Sequence, residues 1–151
     1  MTHGNIPRED VADLIRLMEQ AASALIGGDI RTYARLMSHA PDFTLLPPTG
    51  GEPRTGFDES DEALEALARY FHAGEAELEV FRTYASGELA VLVAIERQRG
   101  TVGDLPAQDL SLRVTLVFRR EGSRWRLVHR HADPLVHQIS EERLGALLRG
   151  D

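Results

Sequence analysis

The sequence predicts an α+β domain, a curved antiparallel sheet wrapped around helices. Three observations carry that prediction. Helical periodicity dominates the first half of the 151 residues and returns only in a short last segment. The second half breaks into four β-rich runs separated by short turn signals. No repeat, low-complexity tract or linker divides the chain, so residues 1–151 read as one domain. Helices first and a sheet second is the α+β pattern.

Val11, Leu14, Ile15, Met18, Ala22, Leu25 and Ile26 follow helical spacing and define one buried stripe. Pro7 with Glu9 and Asp10 suits the start of this helix, and Gly27-Gly28 its end. A second short helix, capped by Asp29, turns Ile30, Tyr33, Ala34 and Met37 inward and stops before Pro41, so helix occupies about 8–38. Phe43 to Gly56, with two prolines and Gly50-Gly51, reads as a short hairpin. A third helix is expected at about 58–73, with Leu64, Leu67, Ala68 and Phe71 on its apolar face. Strands are expected over about 76–133: 76–85, 89–99, 109–120 and 125–133, turning at Ser86-Gly87, Thr101–Pro106 and Gly122-Ser123. Such short connections favour an antiparallel meander. A last helix, about 140–149 and capped by Ser140, carries Leu144, Leu147 and Leu148.

Composition excludes several functions. Cysteine is absent, which removes disulfides, thiol catalysis and thiolate metal sites. All 17 basic residues are arginine, which removes lysine Schiff-base chemistry. A net charge of −7 argues against nucleic acid as a partner. No run approaches the roughly 18 apolar residues of a membrane span, so no membrane partner is expected. MTHGNIPRED lacks the pattern of a secretory signal, and a cytoplasmic location is the expectation.

Strict alternation assigns the sheet faces. With Gly122-Ser123 as a two-residue turn, Glu121 faces Arg124, Arg120 faces Trp125 and Leu116 faces His129. Leu112, Val114, Leu116, Phe118, Trp125, Leu127, His129, His131 and Asp133 then share the inner face, and Arg113, Arg119, Arg126 and Arg130 the outer one. A one-residue slip would bury four arginines. In the preceding hairpin, Leu78, Val80, Tyr84, Leu89, Val91, Val93 and Ile95 take one face, with Arg97 inward. Glu77, Glu79, Leu92, Ala94 and Glu96 take the other, where Glu96 is placed to pair with Arg113.

Two stretches bear a resemblance. Gly50-Gly51-Glu52-Pro53-Arg54-Thr55-Gly56 is similar to a hairpin loop of bacterial ketosteroid isomerases, and Trp125-Arg-Leu-Val-His129-Arg-His131 looks like the W-x-x-V-H-x-H ending of SnoaL-like proteins and of the association domain of calmodulin-dependent kinase. The chain from helix one to Asp133 thus resembles the nuclear transport factor 2-like superfamily, in particular its SnoaL-like members. The resemblance implies a cone-shaped α+β barrel, a hydrophobic small-molecule pocket between helices and sheet, and a homodimer through the outer sheet face. The isomerase's catalytic aspartate falls on Pro47 and its helix-one tyrosine near Ala21. A proline accepts no proton, so ketosteroid isomerisation by that aspartate is disfavoured. Cyclases, isomerases, dehydratases, hydrolases and non-catalytic modules share the fold, which does not choose among them.

His129 and His131 are the candidate catalytic residues, because two histidines on an apolar face offer acid–base chemistry. With Asp133 they also form a weak metal pattern, same-face residues on a strand lying roughly 7 Å apart. No metal or other cofactor is assigned. Arg97, Tyr33, Phe71, Leu116, Phe118 and Trp125 are the expected pocket lining. Two readings stand: an acid–base enzyme acting on a small, largely apolar molecule, and a non-catalytic ligand-binding or assembly module.

Overall fold

A computed structural model describes residues 8–151. Pro7, expected at the helix start, lies outside them. The order of elements is α1 (Arg8–Ile26), α2 (Ile30–Leu36), β1 (His39–Leu46), β2 (Arg54–Thr55), α3 (Asp61–Tyr70), β3 (Phe71–Ser86), β4 (Leu89–Val102), β5 (Gln108–Asp109), β6 (Leu112–Glu121), β7 (Arg124–Pro134) and α4 (Glu141–Arg149). Among these no helix is long and apolar enough to cross a membrane.

The seven strands form one open sheet in the order β2-β1-β7-β6-β4-β3, with β5 beside β4. The β3-β4-β6-β7 meander is antiparallel, as the short turns dictate. The sheet as a whole is mixed, because β1 enters beside β7 in parallel. The Phe43–Gly56 hairpin is β1 with β2, paired at Thr44↔Thr55 and Leu45↔Arg54.

α1 lies across the inner face and buries Leu14, Met18, Ala21, Ala22 and Ile26. It also serves the edge strand β3, whose backbone would otherwise be unpaired there. Glu19 accepts from the Leu78 amide at 2.8 Å, and the Ser23 hydroxyl bonds the Ala76 carbonyl at 2.7 Å. The α1–α2 junction needs Gly28: its φ is +81°, and a Cβ there would collide with the Phe71 carbonyl oxygen.

α3 is shorter than the expected 58–73 span. Ser60 caps it by accepting from the Ala63 amide, and Phe71 leaves the helix to begin a 16-residue strand. None of its residues is fully buried.

Both face assignments need correction. In β4 the inner residues are Ala90, Leu92, Ala94 and Glu96, whereas Val91, Val93 and Ile95 lie half-buried on the outer face. Packing explains the choice. Ala90 faces Phe118 and Ala94 faces Val114, so the two alanines of β4 accept larger residues from β6, while Leu92 packs beside Leu116. A bulge between Val80 and Arg82 lets β3 follow this register.

In β7 the turn sets the pairing as expected for Glu121↔Arg124, Arg120↔Trp125 and Phe118↔Leu127. A bulge at Val128 then shifts the register by one, so Val117 faces His129 and Leu116 faces Arg130. Beyond it Arg130 and Ala132 point inward, while His129, His131 and Asp133 go outward. One extra residue flips every later side chain to the other face.

Candidate functional site

The bulge brings the Arg130 guanidinium onto the inner face, and β4 supplies the answering charge. Glu96, 2% exposed, receives both arms of Arg130 at 2.7 Å each. Burial works against the charged form of Arg130, but the Glu96 carboxylate outweighs it and the net shift is upward.

Tyr33, projecting inward from α2, lies within electrostatic reach of this pair. Its pKa is pushed up to about 12, first by burial; Arg130 acts in the lowering sense and Glu96 in the raising one. Its hydroxyl lies 3.1 Å from Nε2 of His39, at the start of β1. Burial drives the His39 pKa down to about 4, against a smaller raising effect of the Met37 carbonyl. With the ring proton on Nδ1, Nε2 accepts from the Tyr33 hydroxyl. Nδ1 itself has no hydrogen bond of good geometry and is buried.

Aromatic rings enclose the histidine. Phe57 stacks on it with centroids 3.9 Å apart and planes at 10°, and Phe43 meets it edge-on at 4.7 Å. Tyr33 in turn meets Phe57 at 6.0 Å. The inner face thus carries a phenol, a neutral imidazole and a paired arginine–glutamate within an aromatic and aliphatic surround.

The residues expected to form the site are dispersed. Tyr33 is buried in the core and lines neither surface cleft described below. Leu116 and Phe118 are fully buried core residues, and Phe71 and Trp125 are half-buried against that core. Arg97 is not inward: it is exposed on the outer face, bonded to Glu79 at 2.9 Å. The Glu96–Arg113 pairing is replaced by Glu96–Arg130. His129 Nδ1 is bonded to the Thr44 hydroxyl at 2.8 Å across the outer face, and exposed His131 lies 3.5 Å from Asp133. Among the described residues no three His, Asp or Glu converge to hold a metal.

Sequence reasoning missed His39, Phe43, Phe57, inward Glu96 and inward Arg130. One signal was present: Glu96 is the single charge ending the apolar run Leu89–Ile95, and it shares parity with Leu92 and Ala94. Nothing comparable marks His39, which meets Tyr33 only because the chain reverses between α2 and β1.

Two surface clefts lie elsewhere. One, of about 260 Å³, runs between the start of α2 and α3, lined by Gly28, Ile30, Leu64 and Ala68 among others. The other, of about 500 Å³, lies where α1, α2 and β3 meet, with Glu19, Ser23, Arg35 and Leu36 in its walls. Neither is lined by Tyr33, His39, Glu96 or Arg130.

Solved structures share this fold. A nuclear transport factor 2-like superfamily protein from Salmonella enterica superposes with a TM-score of 0.70 at 15% identity, over 89% of this chain and 96% of that one. A putative dehydratase of the same family from Streptomyces avermitilis gives 0.68 at 21% identity, over 87% and 100%. The association domain of CaMKII from C. elegans gives 0.61 at 16% identity, over 83% and 96%. No curated protein sequence matches the chain. The SnoaL-like domain profile matches residues 14–136, which span α1 through β7 and every element that builds the inner face, and the chain belongs to the SnoaL-like family.

Proposed function

We propose that this protein binds a small, largely apolar molecule on the inner side of its sheet and handles it by acid–base chemistry, with Tyr33 and His39 as the working pair. The observation that carries this reading is the 3.1 Å contact between the Tyr33 hydroxyl and His39 Nε2 inside an aromatic surround. With pKa values of about 12 and about 4, both groups are neutral at neutral pH. A neutral phenol donates and a neutral imidazole accepts, so one place holds both halves of a proton transfer. The buried Glu96–Arg130 pair adds a fixed dipole within electrostatic reach of Tyr33. A putative dehydratase and a putative aromatic ring hydroxylase among the structural relatives are consistent with small-molecule chemistry on this fold. His129 and His131, on the outer face, take no part in this proposal.

The test is hydrogen–deuterium exchange into the α-carbon of small cyclic ketones, followed by proton NMR. Wild-type protein should accelerate exchange, and Tyr33→Phe or His39→Gln should each lower the acceleration by roughly a hundredfold. Exchange equal to the buffer rate, or unchanged in both folded variants, overturns the reading.

A second observation favours self-association through the outer sheet face. Val91, Val93, Ile95 and Val117 form its half-buried centre, rimmed by the pairs Arg97–Glu79, Arg119–Asp42 and Arg126–Glu121. An apolar centre with a charged rim of both signs suits packing against a second copy. A CaMKII association domain and a CamKII hub homology domain among the structural relatives agree with this.

A further inference from the structure

Resting on the interior site above, we infer that Phe57 is a built-in plug whose ring holds the seat of a ligand's flat ring, so that the ligand is a planar aromatic or conjugated compound with one hydrogen-bonding oxygen directed at Tyr33. The seat is defined by two rings. The His39 ring forms its floor, parallel to Phe57 at 10°, and Tyr33 closes one edge at 65°. Phe43 meets the histidine edge-on at 4.7 Å and so limits the tilt of its ring. Such a slot accepts a flat ring and rejects a puckered one of equal volume, which fails to keep the 3.9 Å separation over its whole face.

Phe57 reaches this slot from a segment with few other anchors. From residue 49 to residue 62 every side chain is exposed except that of Phe57. The chain before it is tied to β1 by the two pairs of β2 and by the Gly56 amide, which donates to the Phe43 carbonyl at 2.7 Å. The helix after it, α3, has no buried residue, and its main contacts are with α2 and β3. The ring itself is therefore the chief anchor of its own segment. Regions held by so few buried contacts open at low free-energy cost.

The closed arrangement also leaves His39 incompletely satisfied, with Nδ1 buried and lacking a well-formed hydrogen bond. When a ligand ring replaces the Phe57 ring, one stack is exchanged for another of similar worth. The selection between ligands then rests on flatness and on the oxygen that reaches the Tyr33 hydroxyl. A plug of this kind lowers the apparent affinity by the fraction of time it is closed.

The experiment compares 2-naphthol with its saturated, puckered counterpart decahydro-2-naphthol by isothermal titration calorimetry, on wild type and Phe57→Ala. Phe57→Ala should bind 2-naphthol about tenfold or more tighter than wild type and should prefer it to the saturated compound. In wild type, proton NMR at saturating 2-naphthol should move the ring signals of both His39 and Phe57, a readout that does not depend on the variant folding. Equal affinities in wild type and folded Phe57→Ala, or Phe57 signals unmoved at saturation, overturn the plug. If both naphthols bind and only His39 moves, the interior site stands and the plug alone is wrong. If neither compound binds either protein and ketone exchange is also absent, the interior reading itself fails.

Discussion

Arg130 meets Glu96 through two parallel hydrogen bonds of 2.7 Å across the inner face of the sheet, between β7 and β4. The two are not neighbours in the ladder, since Arg130 pairs with Leu116 and Glu96 with Leu112 and Leu78. Their side chains span β6 to meet. Two charges inside an apolar core are tolerable only as a pair, because the desolvation of either alone costs several kcal/mol.

Breaking that pair from one side should be severe. Glu96→Gln or Arg130→Met is expected to lower stability by about 3–5 kcal/mol in urea unfolding, through the unpaired group left behind. The double variant Glu96→Leu with Arg130→Met should recover most of the loss, since it removes both charges together. Additive losses in the double variant would show that the pair is not coupled.

His39 makes stability depend on mild acid. Its folded-state pKa, about 4, lies below the ordinary 6.5, so the unfolded chain binds the extra proton first. The contribution is intact above pH 6.5 and is lost as pH falls towards 4, with no further change from this group below that. Discounted for partial exposure, the loss is about 1–3 kcal/mol. His39→Phe should flatten this part of the stability profile, as read by thermal unfolding between pH 7 and 4.

Tyr33 should titrate late. Its phenol keeps its proton up to about pH 12, so an absorbance titration should show one phase at that pH, absent from Tyr33→Phe. Because the folded pKa is raised above the ordinary 10, the contribution is present below pH 10 and disappears as pH rises through 12.

The outer-face histidines give a contrast. His129→Ala with His131→Ala should leave interior ketone exchange and naphthol binding unchanged, at a stability cost of about 1 kcal/mol from the lost Thr44 bond. Loss of interior binding in a folded double variant would return these histidines to the site. On the same face, Val93→Arg should turn a dimer into a monomer by light scattering; a wild type that is already monomeric at micromolar concentration contradicts the self-association reading.

Gly28→Ala should cost at least about 2 kcal/mol, from the positive φ and the collision with the Phe71 carbonyl. Gly50→Ala, also at positive φ but with no atom near the new Cβ, should cost less. Urea midpoints of the two variants measure the difference.

Local patterns determined much of this protein by themselves. The stripe on α1, the caps at Asp29 and Ser140 and the Gly122-Ser123 turn are signals that act within a few residues, and each appears where the sequence puts it. The α+β class follows from their order. Tertiary structure decided which side of each strand faces the core. Strict alternation put His129 and His131 inside and Arg130 outside, but a single unpaired residue, Val128, reversed all three. An inward arginine looks prohibitive along its own strand, and only the arrival of Glu96 from β4 makes it tolerable. The meeting of His39 with Phe57 and Tyr33 is likewise set by chain reversals and not by spacing. Propensity and turn chemistry fix elements because their energies are local; a bulge, a buried pair or an aromatic stack depends on atoms far apart in sequence, so its energy exists only in the folded chain.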